Sequence, residues 1–401
     1  MRLGVILDHP YDAPLGYSIR PRELCKNLAK VGCEVHIFSP VDRSLKISDN
    51  LVVHGIPAYQ ELFMRICNRF IRKAFKSYSI ARYLYRKRVF EMLSKRLAES
   101  MYAKVKRYNI EILQGEKEIA SMSAVMLGKR LGIPAVADIH GLLAEEAILY
   151  GFVENDSEEY LETKAFVSEV LHEADAVVVV SEELKRYLTN TFSVNADKFF
   201  VIPNAGRLRK ATKPLRSMPE NIVYAGILEP WERVDLAIAS IPHVIKVHRK
   251  AKLLIAGAGT LKRNLIKLVD YLGVKDHVSF VGAISHDKIA EFLAQGDVAV
   301  LPSTVDIVRK VACPIKLFDY LAIGLPVVTV DGLWWSDFVR INNVGLVADT
   351  DPKKFADAIN HLLSNPNKIN AMSENAVRLI IEKYNWTEMA KKLYEILGKI
   401  L

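Results

Sequence analysis

Ala312-Cys313-Pro314-Ile315-Lys316-Leu317-Phe318-Asp319-Tyr320-Leu321-Ala322-Ile323-Gly324-Leu325-Pro326-Val327-Val328 is the stretch on which the reading of this chain turns. It predicts a loop, a short helix opened by Pro314 and stopped by Gly324, and a strand from Val327. A helix start of this kind offers unpaired backbone N–H groups and the positive end of a dipole to an anion, with Lys316 close by. Asp319, five residues past Pro314, has the chemistry to accept hydrogen bonds from a pair of ribose hydroxyls. The competing reading of Lys316 and Asp319 is an i,i+3 ion pair on the helix surface.

Outward from this unit, short Val/Ile-rich runs alternate with helix-period segments along the whole chain, the signature of parallel sheets covered by helices. The first half has strand candidates at 3–7, 34–38, 111–114, 135–139, 176–180 and 199–202. The second half starts the pattern again at 222–225, 252–256, 278–281, 298–301, 327–330 and 345–347. Residues 203–219 hold three prolines and five Lys/Arg without a long apolar run, and read as a linker. The fold class is therefore α/β with two doubly wound sheets. Doubly wound sheets bind ligands beyond the carboxyl ends of their strands, so the loops there are the ones to inspect.

Gly16 lies in the loop after the first strand, where a glycine permits close backbone approach to a ligand or simply a bend. His140 directly follows the strand 135–139, with Gly141 next and Glu145 and Glu146 close behind; a functional role there competes with a structural one. Gly257-Ala258-Gly259 joins a strand to the helix 261–272, a sensible place for a phosphate. The dinucleotide fingerprint needs a third glycine at position 262, where Lys262 stands, which counts against a nicotinamide enzyme.

The chain has 401 residues, 50% apolar and 25% charged, which excludes a disordered polypeptide and suggests two domains. Cys25, Cys33, Cys67 and Cys313 have no metal-ligand spacing and read as reduced, cytoplasmic thiols. No export signal is expected from the N-terminus. The longest apolar run, 176–180, is far below the ~20 residues that span a bilayer. The net charge is +9, yet residues 65–107 carry 14 Lys/Arg against two acids. On a helix over 63–78, Phe63, Ile66, Phe70, Ala74 and Tyr78 share one face, with Arg65, Arg69, Arg72 and Lys76 opposite. That pattern suits either an anionic membrane surface or a core-packed helix with a solvated charged face. Without a helix-turn-helix, RNP, KH or zinc-finger pattern, no nucleic-acid partner is expected.

Taken in order, these pieces resemble a GT-B glycosyltransferase of the large retaining family known as group 1 or family 4. The resemblance covers nearly the whole chain. It is carried by Gly16 and its following helix, His140-Gly141, Ala174-Asp175-Ala176, Val201-Ile202-Pro203-Asn204, Ala225-Gly226, Gly257-Ala258-Gly259, Phe280-Val281-Gly282, Leu301-Pro302-Ser303 and the stretch 312–328. It implies two facing Rossmann-like domains with a cleft between them. Residues 1–205 would form the acceptor-side domain and 206–385 the nucleotide-sugar domain, with a helix at about 386–401, stopped by Gly398, packing back on the first. It implies retention of configuration, no metal at the diphosphate and no cofactor, the nucleotide-sugar being a substrate. Gly16, Arg233, Gly257, Gly282, Lys316 and Asp319 would bind the donor, and His140 would be catalytic, near the sugar. The chain departs from the family at two places. Val311 stands where the first acid of the E-x7-E motif is found, and the G-R-L-x3-K-G pattern is replaced by Gly226-Ile227-Leu228 followed by Glu232-Arg233, leaving Arg233 and Lys316 as substitutes for its cations. Because the basic stretch 65–107 lies in the half that the resemblance gives to the acceptor, the acceptor expected is a lipid-linked or membrane-surface saccharide or lipid, and the location expected is cytoplasmic, peripheral at the inner face of the cell membrane. The alternatives are a nucleotide-sugar 2-epimerase and a catalytically silent nucleotide-sugar-binding protein.

Overall fold

A computed structural model describes residues 1–13, 18–57, 84–208 and 220–401. The expectations for Gly16, Cys67, the helix 63–78 and residues 209–219 of the linker lie outside the described residues. The chain forms two compact units, Met1–Pro203 with Thr387–Leu401, and Asn204–Trp386. Asn204 belongs to the second because its side-chain amide donates to the Cys313 carbonyl at 2.6 Å.

The first unit is built on eight strands: β1 (Arg2–Ile6), β2 (Glu34–Ser39), β3 (Leu45–Ser48), β4 (Leu51–Gly55), β5 (Ile112–Glu116), β6 (Ala135–Ile139), β7 (Ala176–Val179) and β8 (Phe199–Val201). Their order across the sheet is β3-β4-β2-β1-β5-β6-β7-β8. All pairs are parallel except β3 with β4. β5, β6 and β7 are buried at every position, as parallel strands covered by helices must be. The hairpin β3–β4 adds two strands absent from the sequence reading. β3 is exposed throughout, so no apolar alternation marks it, while β4 extends the parallel sheet from β2. The helix Trp386–Ile400 groups with this unit from Thr387 onward. It buries Met389, Ala390, Leu393 and Leu397, and Thr387 donates its hydroxyl to Asn27 Oδ1 at 3.0 Å. Gly398 does not stop it; the helix runs two residues further.

The second unit has six parallel strands, β9 (Asn221–Ala225), β10 (Lys252–Ala256), β11 (Val278–Gly282), β12 (Val298–Leu301), β13 (Val327–Val330) and β14 (Gly345–Ala348), in the order β11-β10-β9-β12-β13-β14. The winding reverses at β9, with β10 on one side and β12 on the other. The helix of the deciding stretch is Ile315–Ala322, and Pro314 is its N-cap rather than its first helical residue. Gly324, at φ +77°, follows its end. Tyr320 anchors this helix to β9, its hydroxyl accepting from Ala225 N at 3.0 Å and donating to Ala225 O at 3.2 Å. Among the described residues no helix is long and apolar enough to cross a membrane.

Candidate functional site

In the second unit the reversal of winding brings the loops after β9 and β12 together, the position where doubly wound sheets take ligands. After β9 the chain turns through Pro230–Glu232, and Arg233 enters the next helix, Val234–Val247, from a left-handed conformation at φ +47°. After β12, Asp306 caps the helix Ile307–Val311 by accepting from Arg309 N at 3.0 Å, which fixes where Arg309 starts. The two loops are joined by Thr304 N donating to Trp231 O at 3.0 Å. Lys316 sits in the first turn of Ile315–Ala322.

These segments bring together Tyr224, Glu232, Arg309 and Lys316. The Lys316 ammonium is bonded to Glu232 Oε2, and Arg309 Nη2 lies 3.4 Å from Glu232 Oε1. Tyr224 donates its hydroxyl to the Ile227 carbonyl at 2.8 Å, and the hydroxyl is 3.3 Å from Glu232 Oε2. Burial works to raise the Glu232 carboxyl, but Lys316 and Arg309 outweigh it and hold it below its ordinary value. Burial, aided by the Arg309 charge, lowers Lys316 against the pull of Glu232. The cluster therefore sets two basic side chains against one carboxylate whose ionised form they favour. The i,i+3 pairing of Lys316 with Asp319 gives way to this longer-range one, and Asp319 lies one turn further along the helix, half-buried. Arg233 turns to its own helix, with Nε 3.1 Å from both carboxylate oxygens of Asp235, so Arg309 rather than Arg233 shares Glu232 with Lys316.

Gly257 serves backbone packing: a Cβ there would lie 1.9 Å from the Gly226 carbonyl oxygen. Its N–H donates to the carbonyl of Gly282 at 2.8 Å, so the three glycines lock the loops after β9, β10 and β11 to one another. That role accounts for Gly257 and Gly282 alongside any contact with a ligand.

In the first unit a second polar cluster lies at the ends of β5 and β6. Asp138 is fully buried and is held by Arg20, whose Nη2 is 3.1 Å from Oδ1 and Nε 3.3 Å from Oδ2. Arg20 also donates to the Ile202 carbonyl at 2.9 Å. Gln114 bridges Glu116 and Asp138 with its amide, at 2.9 and 3.2 Å. His140 Nε2 lies 3.0 Å from Glu116 Oε2 and 3.1 Å from Asp138 Oδ1. Its ring N–H is aligned with neither as a hydrogen bond, so the contact is one of charges. Burial pushes the imidazole down, and Asp138 and then Glu116 overcome this and lift it to about 9. At neutral pH His140 is thus an imidazolium, able to stabilise developing negative charge and to donate a proton but not to act as a base. Glu118, two residues past Glu116 in the first turn of the helix Lys117–Leu131, is lifted to about 7 by burial.

Glu116, Asp138 and His140 each present a potential metal-ligand atom, all within 4.8 Å of one another. Arg20 and the His140 proton already supply the positive charge that these carboxylates need, and a divalent ion would have to displace that proton beside a guanidinium. The carboxylates after His140 go separate ways. Glu145 Oε1 accepts from Lys164 Nζ at 2.8 Å and Tyr187 OH at 2.5 Å, whereas Glu146 reaches back so close to Gly141 that a Cβ there would clash with it. Sequence reasoning singled out His140 and Lys316 but missed the partners that set their charge: Arg20, Glu116, Asp138, Glu232 and Arg309. A charged residue inside an apolar strand, as in Ala-Val-Ala-Asp-Ile, is the one signal that pointed to any of them.

The two doubly wound units and their strand-end sites define the class as a GT-B glycosyltransferase fold, and comparison with solved structures agrees. Sucrose-phosphate synthase of Thermosynechococcus elongatus matches with a TM-score of 0.73 at 18% identity, over 100% of this chain and 99% of that one. Anabaena HepE, solved in complex with UDP and glucose, matches with a TM-score of 0.70 at 14% identity, over 100% of both chains. The family model for glycosyl transferases group 1 matches residues 207–379, and that for glycosyltransferase family 4 matches residues 16–206. The chain belongs to this group 1 / family 4 type of glycosyltransferase. It is 27% identical over 286 residues to an uncharacterized glycosyltransferase of Methanocaldococcus jannaschii, covering 66% of this chain and 69% of that relative. It is 22% identical over 384 residues to the phosphatidylinositol N-acetylglucosaminyltransferase gpi3 subunit of Schizosaccharomyces pombe, covering 92% of this chain and 78% of that protein.

Proposed function

We propose that the chain transfers a glycosyl group from a nucleotide-sugar to a lipid-linked or membrane-surface saccharide or lipid, with retention and without a metal at the diphosphate. The second unit takes the donor and the first the acceptor. The observation that carries the reading is the pair of cations, Lys316 and Arg309, at the reversal of winding in the second sheet. Departure of a nucleoside diphosphate builds negative charge, and preorganised cations stabilise that charge without reorganising at the moment of reaction. Asp319, on the same helix as Lys316, is assigned to the donor ribose. His140, charged by its two carboxylate neighbours, contributes on the first unit. The lipid acceptor draws on the basic stretch 65–107 and on the relative named as acting on phosphatidylinositol. The same reading places the protein in the cytoplasm at the inner face of the membrane.

The experiment is incubation of the full chain with a panel of UDP-, GDP- and ADP-sugars, with and without EDTA. Hydrolysis or transfer from one donor, undiminished by EDTA, is the expected result. Formation of an epimer, or binding without turnover, moves the assignment to a 2-epimerase or a silent binding protein. Loss of turnover with EDTA returns the metal to the mechanism.

A further inference from the structure

Two cations converging on one buried carboxylate at a ligand-binding switch point need an explanation beyond packing. Glu232 has a side chain only 4% exposed, while Arg309 and Lys316 keep 13% and 16% of theirs open to solvent. The carboxylate is therefore the most deeply buried of the three groups, and its two basic partners keep the greater access to solvent. Glu232 belongs to the turn Pro230–Glu232, which is tied to the loop after β12 through Trp231. Its carboxylate is a fixed internal anion already bonded to the ammonium that an incoming phosphate would need.

We propose that Glu232 is a specificity-determining residue, an internal counter-anion that competes with the donor's phosphates for Lys316 and Arg309 and so limits the affinity of the site for highly charged nucleotides. The inference rests on the donor assignment made above. With Glu232 ionised, the three groups carry one net positive charge in place of two. A nucleoside diphosphate must share Lys316 with Glu232 or draw it away, whereas a ligand with a single phosphate demands less of the pair. Replacing the carboxylate by an amide of the same shape leaves the turn intact and releases both cations towards the ligand.

The test is a double-mutant cycle in the full chain, with calorimetric titration of UDP, UMP, GDP and GMP into the native protein, E232Q, K316Q and E232Q/K316Q. Thermal unfolding of each variant checks that it is folded. E232Q is expected to bind diphosphates at least tenfold more tightly and monophosphates only a few-fold more tightly. K316Q alone should lose diphosphate affinity. E232Q/K316Q, which keeps the net charge of the cluster, should return to within a few-fold of the native chain. If E232Q does not fold, the comparison of K316Q with the double variant carries the same information. Nucleotide binding that E232Q leaves unchanged or weakens, or strengthens equally for monophosphates and diphosphates, overturns the proposal while the donor assignment stands. Absence of nucleotide binding to the native chain and to every variant overturns both.

Discussion

His140 shows how a residue type becomes a particular chemical group only through its neighbours. An isolated histidine is mostly neutral at pH 7. Here two carboxylates lift it to about 9, against burial, and a third partner, Arg20, keeps Asp138 ionised so that it can do so. A group whose folded value lies above its unfolded one stabilises the fold fully below the unfolded value and loses that contribution as pH rises through the folded value. A lift from 6.5 to about 9 corresponds to about 3 kcal/mol. The native chain should therefore lead His140→Gln by most of that amount in urea unfolding at pH 6, with the lead shrinking from pH 6.5 to 9. A gap independent of pH would mean that His140 stabilises by packing and not by charge.

At the scale of elements, the helix Ile315–Ala322 gathers the donor-side residues because Tyr320 pins it to the end of β9. Lys316 and Asp319 then project from positions three apart on the helix that Tyr320 anchors to β9. Their effects should separate accordingly. Asp319→Ala is expected to weaken binding of a free nucleoside diphosphate by ~1–3 kcal/mol, the usual cost of losing charge-assisted hydrogen bonds, and to weaken the nucleoside as well. Titration calorimetry of both ligands checks this; unchanged affinity would remove Asp319 from the site. The strand-to-loop boundaries around this helix were legible because buried parallel strands are continuous apolar runs. The edge strand β3 was not, since a fully exposed strand carries no such run.

At the scale of the whole molecule, the concentration of positive charge in 65–107 is a property of the first unit alone. On the described part of the stretch, the helix Lys87–Arg107 buries Phe90, Leu93, Leu97 and Met101 and leaves Arg88, Lys95, Arg96, Lys106 and Arg107 exposed. Those cations have acidic company, Glu99 on the same exposed face and Glu91 and Glu169 around Lys87, which weakens but does not cancel the basic character. Each cation near an anionic bilayer contributes about 1 kcal/mol and is screened by salt. Co-sedimentation with anionic vesicles is thus expected at low salt, reduced at high salt, and lost when Arg65, Arg69, Arg72 and Lys73 are changed to Ser. No binding at low salt would make the acceptor a soluble one.

The sequence by itself determined the two doubly wound sheets, the strand end that bears His140 and the helix that bears Lys316 and Asp319. Strand periodicity, helix stops and turn residues are local signals, written in the order of the residues that form them. Tertiary structure alone decided that Lys316 is bonded to Glu232, 84 positions away, that Arg309 and not Arg233 joins them, and that Arg20 reaches Asp138 across 118 positions. A charge pair forms wherever folding brings opposite charges together in a place poor in water, and no spacing along the chain encodes that meeting.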